Sequence, residues 1–142
     1  MKKKQSNADP KQLTAEEIDV FEKVLAQLKG LHSEIAELSK KAQNDGLNKF
    51  KLKFTNQVLA ESNKLLGDKY KPFPDFDLFD ENDVPTNSDA TFIISQYLGC
   101  MERLRVDNIE HDQSWEGNKS VWRWYWKDTE SPTYPPLNMK DK

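Results

Sequence analysis

The chain has 142 residues, 36% of them apolar and 32% charged, and a formal net charge of −3. That length suits one domain with a real core, and so mild a charge gives no electrostatic reason for the whole domain to hold nucleic acid tightly. A single cysteine, Cys100, excludes an intrachain disulfide and argues against a Cys-based metal site.

Residues 1–12 read as a flexible basic tail. Lys2, Lys3 and Lys4 are followed by polar Gln5-Ser6-Asn7, where a signal peptide needs an apolar run. No segment approaches the roughly 18 apolar residues of a membrane span. The expectation is a cytoplasmic protein without membrane insertion.

Residues 13–128 read as a single helical domain. Its first helix, over about 14–44, carries an apolar stripe through Phe21, Val24, Leu28, Leu31, Ile35, Leu38 and Ala42, spaced by threes and fours along one side. Thr14 as N-cap with Glu17 three positions on makes a capping box, and Leu13 with Ile18 can staple it. Ile18 and Leu25 flank the stripe, so a second copy could pair there. Gly30 interrupts the helix and reads as a tolerated residue or as a place where another backbone comes close.

The second helix is expected over 47–66, with Leu47, Phe50, Phe54, Val58 and Leu65 at helical spacing, Leu59, Ser62 and Leu66 beside them, and Gly67 as its C′ residue. The short turn between these helices predicts an antiparallel hairpin. Lys40, Lys41, Lys49, Lys51 and Lys53 gather near that turn, as a solvated end or a basic docking patch.

Residues 67–88 form a long loop in which Pro72, Pro74 and Pro85 forbid a continuous helix. Phe73, Phe76, Leu78 and Phe79 alternate with Asp75, Asp77, Asp80, Glu81 and Asp83. The apolar members are expected to fold back over the bundle, with a short helical turn over 75–79. Asp75 and Asp77 fit the first two ligand positions of an EF-hand loop. Phe79, Asp80 and Thr86 then occupy the next ligand, turn-glycine and final-glutamate positions, so no metal and no cofactor is expected.

A third helix over about 88–110 begins after N-cap candidates Thr86-Asn87-Ser88-Asp89. Its stripe is Ala90, Ile94, Tyr97, Met101 and Leu104. Gly99 suggests a close helix contact, and Tyr97 with Gln96 a core edge. All four tryptophans then fall within twelve residues. On an extended or hairpin segment, Trp122, Trp124 and Trp126 share one face beside Arg123 and Lys127. Residues 129–142 are a Pro-containing tail.

The fold class that emerges is mainly α: an antiparallel three-helix bundle with a long acidic-aromatic loop and a small Trp-rich C-terminal extended or hairpin element. No phosphate loop, nucleophile elbow or paired-histidine metal motif is present, and His32 and His111 stand far apart. No catalytic residue is assigned. The expected role is a non-catalytic protein-binding protein, an adaptor or an inhibitor of the immunity or antitoxin kind. Its partner-binding residues would be Asp75, Phe76, Asp77, Phe79, Asp80, Trp122, Arg123, Trp124 and Trp126. The alternatives are a nucleic-acid module stacking bases on the tryptophans and an enzyme with an unrecognised site.

Overall fold

The computed structural model describes residues 13–113 and 120–124, with side-chain surroundings for 13–109. It is mainly helical, with three helices packed together: α1 (Ala15–Ala42), α2 (Lys49–Tyr70) and α3 (Asn87–Asp107). Two strands follow, β1 (Ile109–Gln113) and β2 (Ser120–Trp124), paired antiparallel with Ile109 opposite Trp124. The chain divides into two compact units.

The smaller unit has as its described residues 13–22, 105–113 and 120–124. Here α1 begins with the capping box expected from Thr14 and Glu17. The Glu17 amide donates to Thr14 Oγ1 at 3.1 Å, and the Thr14 amide donates to Glu17 Oε1 at 2.9 Å. Two amides that a helix start leaves without intrahelical partners are thereby satisfied.

The larger unit, Lys23–Leu104, holds most of α1, all of α2 and nearly all of α3. On α1, Val24, Leu25, Leu28 and Ile35 are buried. On α3, Ala90, Ile94, Tyr97, Met101 and Leu104 are all fully buried, which is the stripe read from the sequence. Tyr97 is therefore a core residue and no edge residue, while Gln96 is exposed.

The second helix differs from its expected orientation. Phe50 is 73% exposed and Phe54 40%, whereas Leu52, Thr55, Asn56, Val58, Leu59, Ser62, Leu66 and Tyr70 are buried. The seam runs through Leu52, Leu59 and Leu66, seven residues apart, with polar residues between them. A seam so mixed in polarity gives a weak sequence signal. Phe50 and Phe54, also at helical spacing, gave a stronger one on the wrong face. At 100° per residue, Phe50 sits about opposite the centre of the buried arc.

α2 also continues past its expected stop. Gly67 adopts φ 60° and ψ −171°, a non-helical kink, and one further turn closes with the Lys71 amide bonded to the Gly67 carbonyl at 3.1 Å. Only glycine takes that backbone conformation without strain.

The end of α1 meets the start of α3. The Asn87 amide donates to the Asp45 carbonyl at 2.8 Å, the Ser88 amide to the Gln43 carbonyl at 3.1 Å, and Asn87 Nδ2 to the Ala42 carbonyl at 2.9 Å. The Asp89 amide takes Thr86 Oγ1 at 3.0 Å, which makes Thr86 the N-cap. The amides orphaned at one helix start thus consume carbonyls left over at another helix end. A bridge between Gly46 and Thr86 and a 2.8 Å bond from the Leu47 amide to the Pro85 carbonyl complete the junction.

A Cβ placed on Gly30 or on Gly99 would meet nothing within 4 Å. Neither glycine marks the close backbone approach that the sequence suggested. Gly30→Ala and Gly99→Ala should each stabilise the protein by about 0.5–1 kcal/mol, from helix propensity alone. Gly67→Ala should cost about 1–3 kcal/mol, because alanine is strained at that φ. Urea denaturation of the three variants checks both signs.

Candidate functional site

The segment from Lys71 to Thr86 links α2 to α3 without regular structure. It is nevertheless tied down at several points by α2. Asn56 Nδ2 donates to the Phe79 carbonyl at 3.0 Å, and the Phe79 amide donates back to Asn56 Oδ1 at 3.0 Å. One side-chain amide thus satisfies both backbone groups of one loop residue, as a strand neighbour would.

Two turns farther along α2, Asn63 repeats the device. Its Nδ2 donates to the Asp77 carbonyl at 2.9 Å, and its Oδ1 accepts the Tyr97 hydroxyl at 2.6 Å. Tyr97 comes from the core of α3, so Asn63 joins two helices and the loop. Burial pushes the Tyr97 phenol up to about 12, against the opposing effect of the bond to Asn63, with a smaller contribution from the charge on Asp77. The ammonium of Lys71 pairs with Asp77, and Lys71 Nζ also donates to the Pro74 carbonyl at 3.5 Å.

Aromatic rings add apolar attachment. The Phe76 ring lies edge-on to Phe79 at 5.2 Å and to Tyr97 at 6.3 Å, and Phe73 stacks on Phe92 at 6.2 Å. Such pairs contribute about 0.5–1.5 kcal/mol each beyond the area they bury. Leu78 does not fold back and is 46% exposed. Instead of a helical turn over 75–79, the chain makes two separate turns, Phe76 N to Phe73 O at 3.3 Å and Asp83 N to Asp80 O at 3.0 Å.

The second turn borders an open depression of about 450 Å³. Its lining includes Phe76, Leu78 and Phe79 together with the carboxylates of Asp80, Asp83 and Asp89. Thr86, also in the lining, is engaged as the α3 cap. No base lies between residues 72 and 89, which carry Asp75, Asp77, Asp80, Glu81, Asp83 and Asp89. The depression therefore offers apolar carbon beside concentrated negative charge, a setting suited to a cation on an apolar stem. Among the described residues no group of three His, Cys, Asp or Glu is placed to hold a metal ion, and no helix is long and apolar enough to cross a membrane.

Of the expected partner-binding residues, the structure gathers Phe76, Phe79 and Asp80 at this depression. Asp75 and Asp77 are exposed on the same segment but do not line it. Trp122, Arg123 and Trp124 belong to β2; their side chains, and the whole of Trp126, lie outside the described residues. The sequence reading missed Asn56, Asn63 and Tyr97 as the groups that fix the loop; it counted Asp83 among the loop acids but left Asp83 and Asp89 out of the partner-binding set. The chain matches no family model, no curated protein and no solved structure.

Removing the clamp should be costly. Asn56→Ala leaves the Phe79 amide and carbonyl without their partners, and a loss of about 1–3 kcal/mol is expected. Hydrogen exchange at the Phe79 amide should accelerate while the α3 core amides keep their relative protection. Tyr97 gives a pH signature. The unfolded chain releases this proton near pH 10 and the folded chain near 12, so the folded state binds it more tightly. Its contribution is complete below about pH 10 and is lost as pH rises toward 12. Urea midpoints measured across that window should fall more steeply for the wild type than for Tyr97→Phe.

Proposed function

We propose that the chain is a non-catalytic protein-binding protein, an adaptor or an inhibitor of the immunity or antitoxin kind, and that its acidic-aromatic loop is the principal contact. The observation that supports this most directly is the fixing of the loop by Asn56 and Asn63. A loop held in this way presents its carboxylates and Leu78 with little ordering left to lose on binding, and that ordering is one of the main costs of association.

The partner that fits is a basic protein surface with at least one long cationic side chain for the depression. Charge complementarity of this kind raises the encounter rate and selects the partner. An apolar anchor at Leu78 would exclude water at the centre. The Trp-rich segment through Trp122, Trp124 and Trp126 with Arg123 is assigned in the same reading to a secondary contact.

Tagged protein used as bait in native lysate should retain one stoichiometric protein, and raising the salt should release it. Asp80→Lys/Asp83→Lys should reduce the retained amount by tenfold or more, with the helical circular dichroism unchanged. Recovery of no stoichiometric protein by the wild type, or equal recovery by the double variant, would count decisively against this reading.

A further inference from the structure

The apolar flanks expected to pair α1 with a second copy are consumed inside the chain: Ile18 is fully buried and Leu25 nearly so. A different surface is left open. On the first turns of α2, Phe50 and Phe54 form an edge-to-face pair with centroids 4.9 Å apart, 73% and 40% exposed. Lys53 places its ammonium 5.7 Å from the Phe54 ring, and Lys49 stands exposed beside Phe50. Lys51 is paired with Glu34. Neither Lys49 nor Lys53 forms an ion pair among the described residues.

A Phe ring so exposed on the first turn of a helix is costly in water. Its lysine border disfavours pairing the patch with its own copy across a two-fold axis, because like charges would be opposed. What the patch fits is an acidic surface with an apolar centre. The same chain carries one: Leu78, 46% exposed, between Asp75, Asp77, Asp80 and Glu81, all exposed.

These two surfaces cannot meet within one molecule. The loop is bonded to α2 through Asn56 and Asn63. Phe50 and Phe54 lie roughly 120° and 160° around the helix from Asn56, at 100° per residue. We propose that the Leu78 segment of one copy docks on the Phe50–Phe54 patch of a second copy, head to tail. Leu78 enters beside the two rings, and Asp75 and Glu81 face Lys49 and Lys53. Because the contact joins unlike surfaces, it propagates from copy to copy unless a ring closes. Its size places it among weak, concentration-dependent contacts. It requires no other protein, and because it occupies the Leu78 segment that the partner-binding reading also uses, the two contacts compete for one surface.

Light scattering and sedimentation velocity from micromolar to millimolar concentration test it. Wild-type weight-average mass should rise with concentration and return toward the monomer as salt is added. Phe50→Ser, Lys49→Glu/Lys53→Glu and Asp75→Lys/Glu81→Lys should each stay monomeric. Mixing the last two variants restores opposite charges across the contact and should bring the mass increase back. Phe50→Ser leaves the loop untouched and should still capture a basic partner, which separates failure of this contact from failure of the partner-binding reading. A wild-type mass that stays constant overturns the proposal. So does association that persists undiminished in Phe50→Ser, or a mixture of the charge variants that remains monomeric.

Discussion

The polar strip on the buried side of α2 is the constraint on which the rest of the larger unit depends. Thr55, Asn56 and Ser62 occupy positions where an ordinary bundle helix would carry leucine. Burying a polar group is costly unless it is hydrogen-bonded, and the Thr55 hydroxyl, buried with no partner among the described residues, carries that cost. Asn56 finds its partners in the loop backbone, and Ser62 bonds the carbonyl of Val58 one turn back. Asn63, half-buried beside them, spends both ends of its amide on the loop and on Tyr97. The loop and the strip therefore require each other. Without the loop, Asn56 would face an apolar environment or water; without Asn56, the Phe79 backbone would lose both of its partners.

From that arrangement the remaining surface follows. α2 turns Asn56 inward and carries Phe50 and Phe54 outward. Leu52, Leu59 and Leu66 still supply the apolar contact that keeps the helix docked. The junction at the other end of the loop is equally specific. The amides of Asn87 and Ser88 reach carbonyls at Asp45 and Gln43, so the loop is anchored in its middle by side-chain amides of α2 and at its C-terminal end by helix termini. With acid on the loop and lysine on the far side of α2, the charge of the unit is separated by the thickness of one helix, although the chain as a whole carries only −3.

Legibility in the sequence followed the chemistry of each stripe. α1 and α3 bury leucine, isoleucine, valine, phenylalanine and methionine at regular spacing, and their faces were readable residue by residue. The first turn of α1 was readable as well, because a capping box is a local pattern whose atoms meet in the helix it starts. α2 was readable only in part: Val58, Leu59, Ser62 and Leu66 lie on the buried side as expected, but Leu52, Thr55 and Asn56 gave no signal, and two outward phenylalanines imitate a core. Gly30 fits its reading as a tolerated residue, whereas Gly99, read as a close helix contact, has open space where a Cβ would stand. The acids of the loop were plain in the sequence. The residues that fix it were not, because Asn56 and Asn63 lie 23 and 14 residues from the backbone they hold, and single asparagines on a helix carry no local mark of such a role.

Tyr97 joins the two aspects of the unit. Its ring belongs to the fully buried seam of α3, and its hydroxyl makes a 2.6 Å bond to Asn63. A phenol in that position must remain neutral, since burial opposes its ionisation. It must also have an acceptor, since a buried hydroxyl without one is costly. Asn63 supplies the acceptor and, with the other end of the same amide, a donor to Asp77. The orientation of that amide is settled by the Asp77 carbonyl, which can only accept: a flipped amide would set oxygen against oxygen there, whereas the Tyr97 hydroxyl can donate or accept. Core packing of α3 and placement of the acidic segment thus share one side chain, so any change that loosens the Tyr97 seam also moves the surface on which the loop presents its charge.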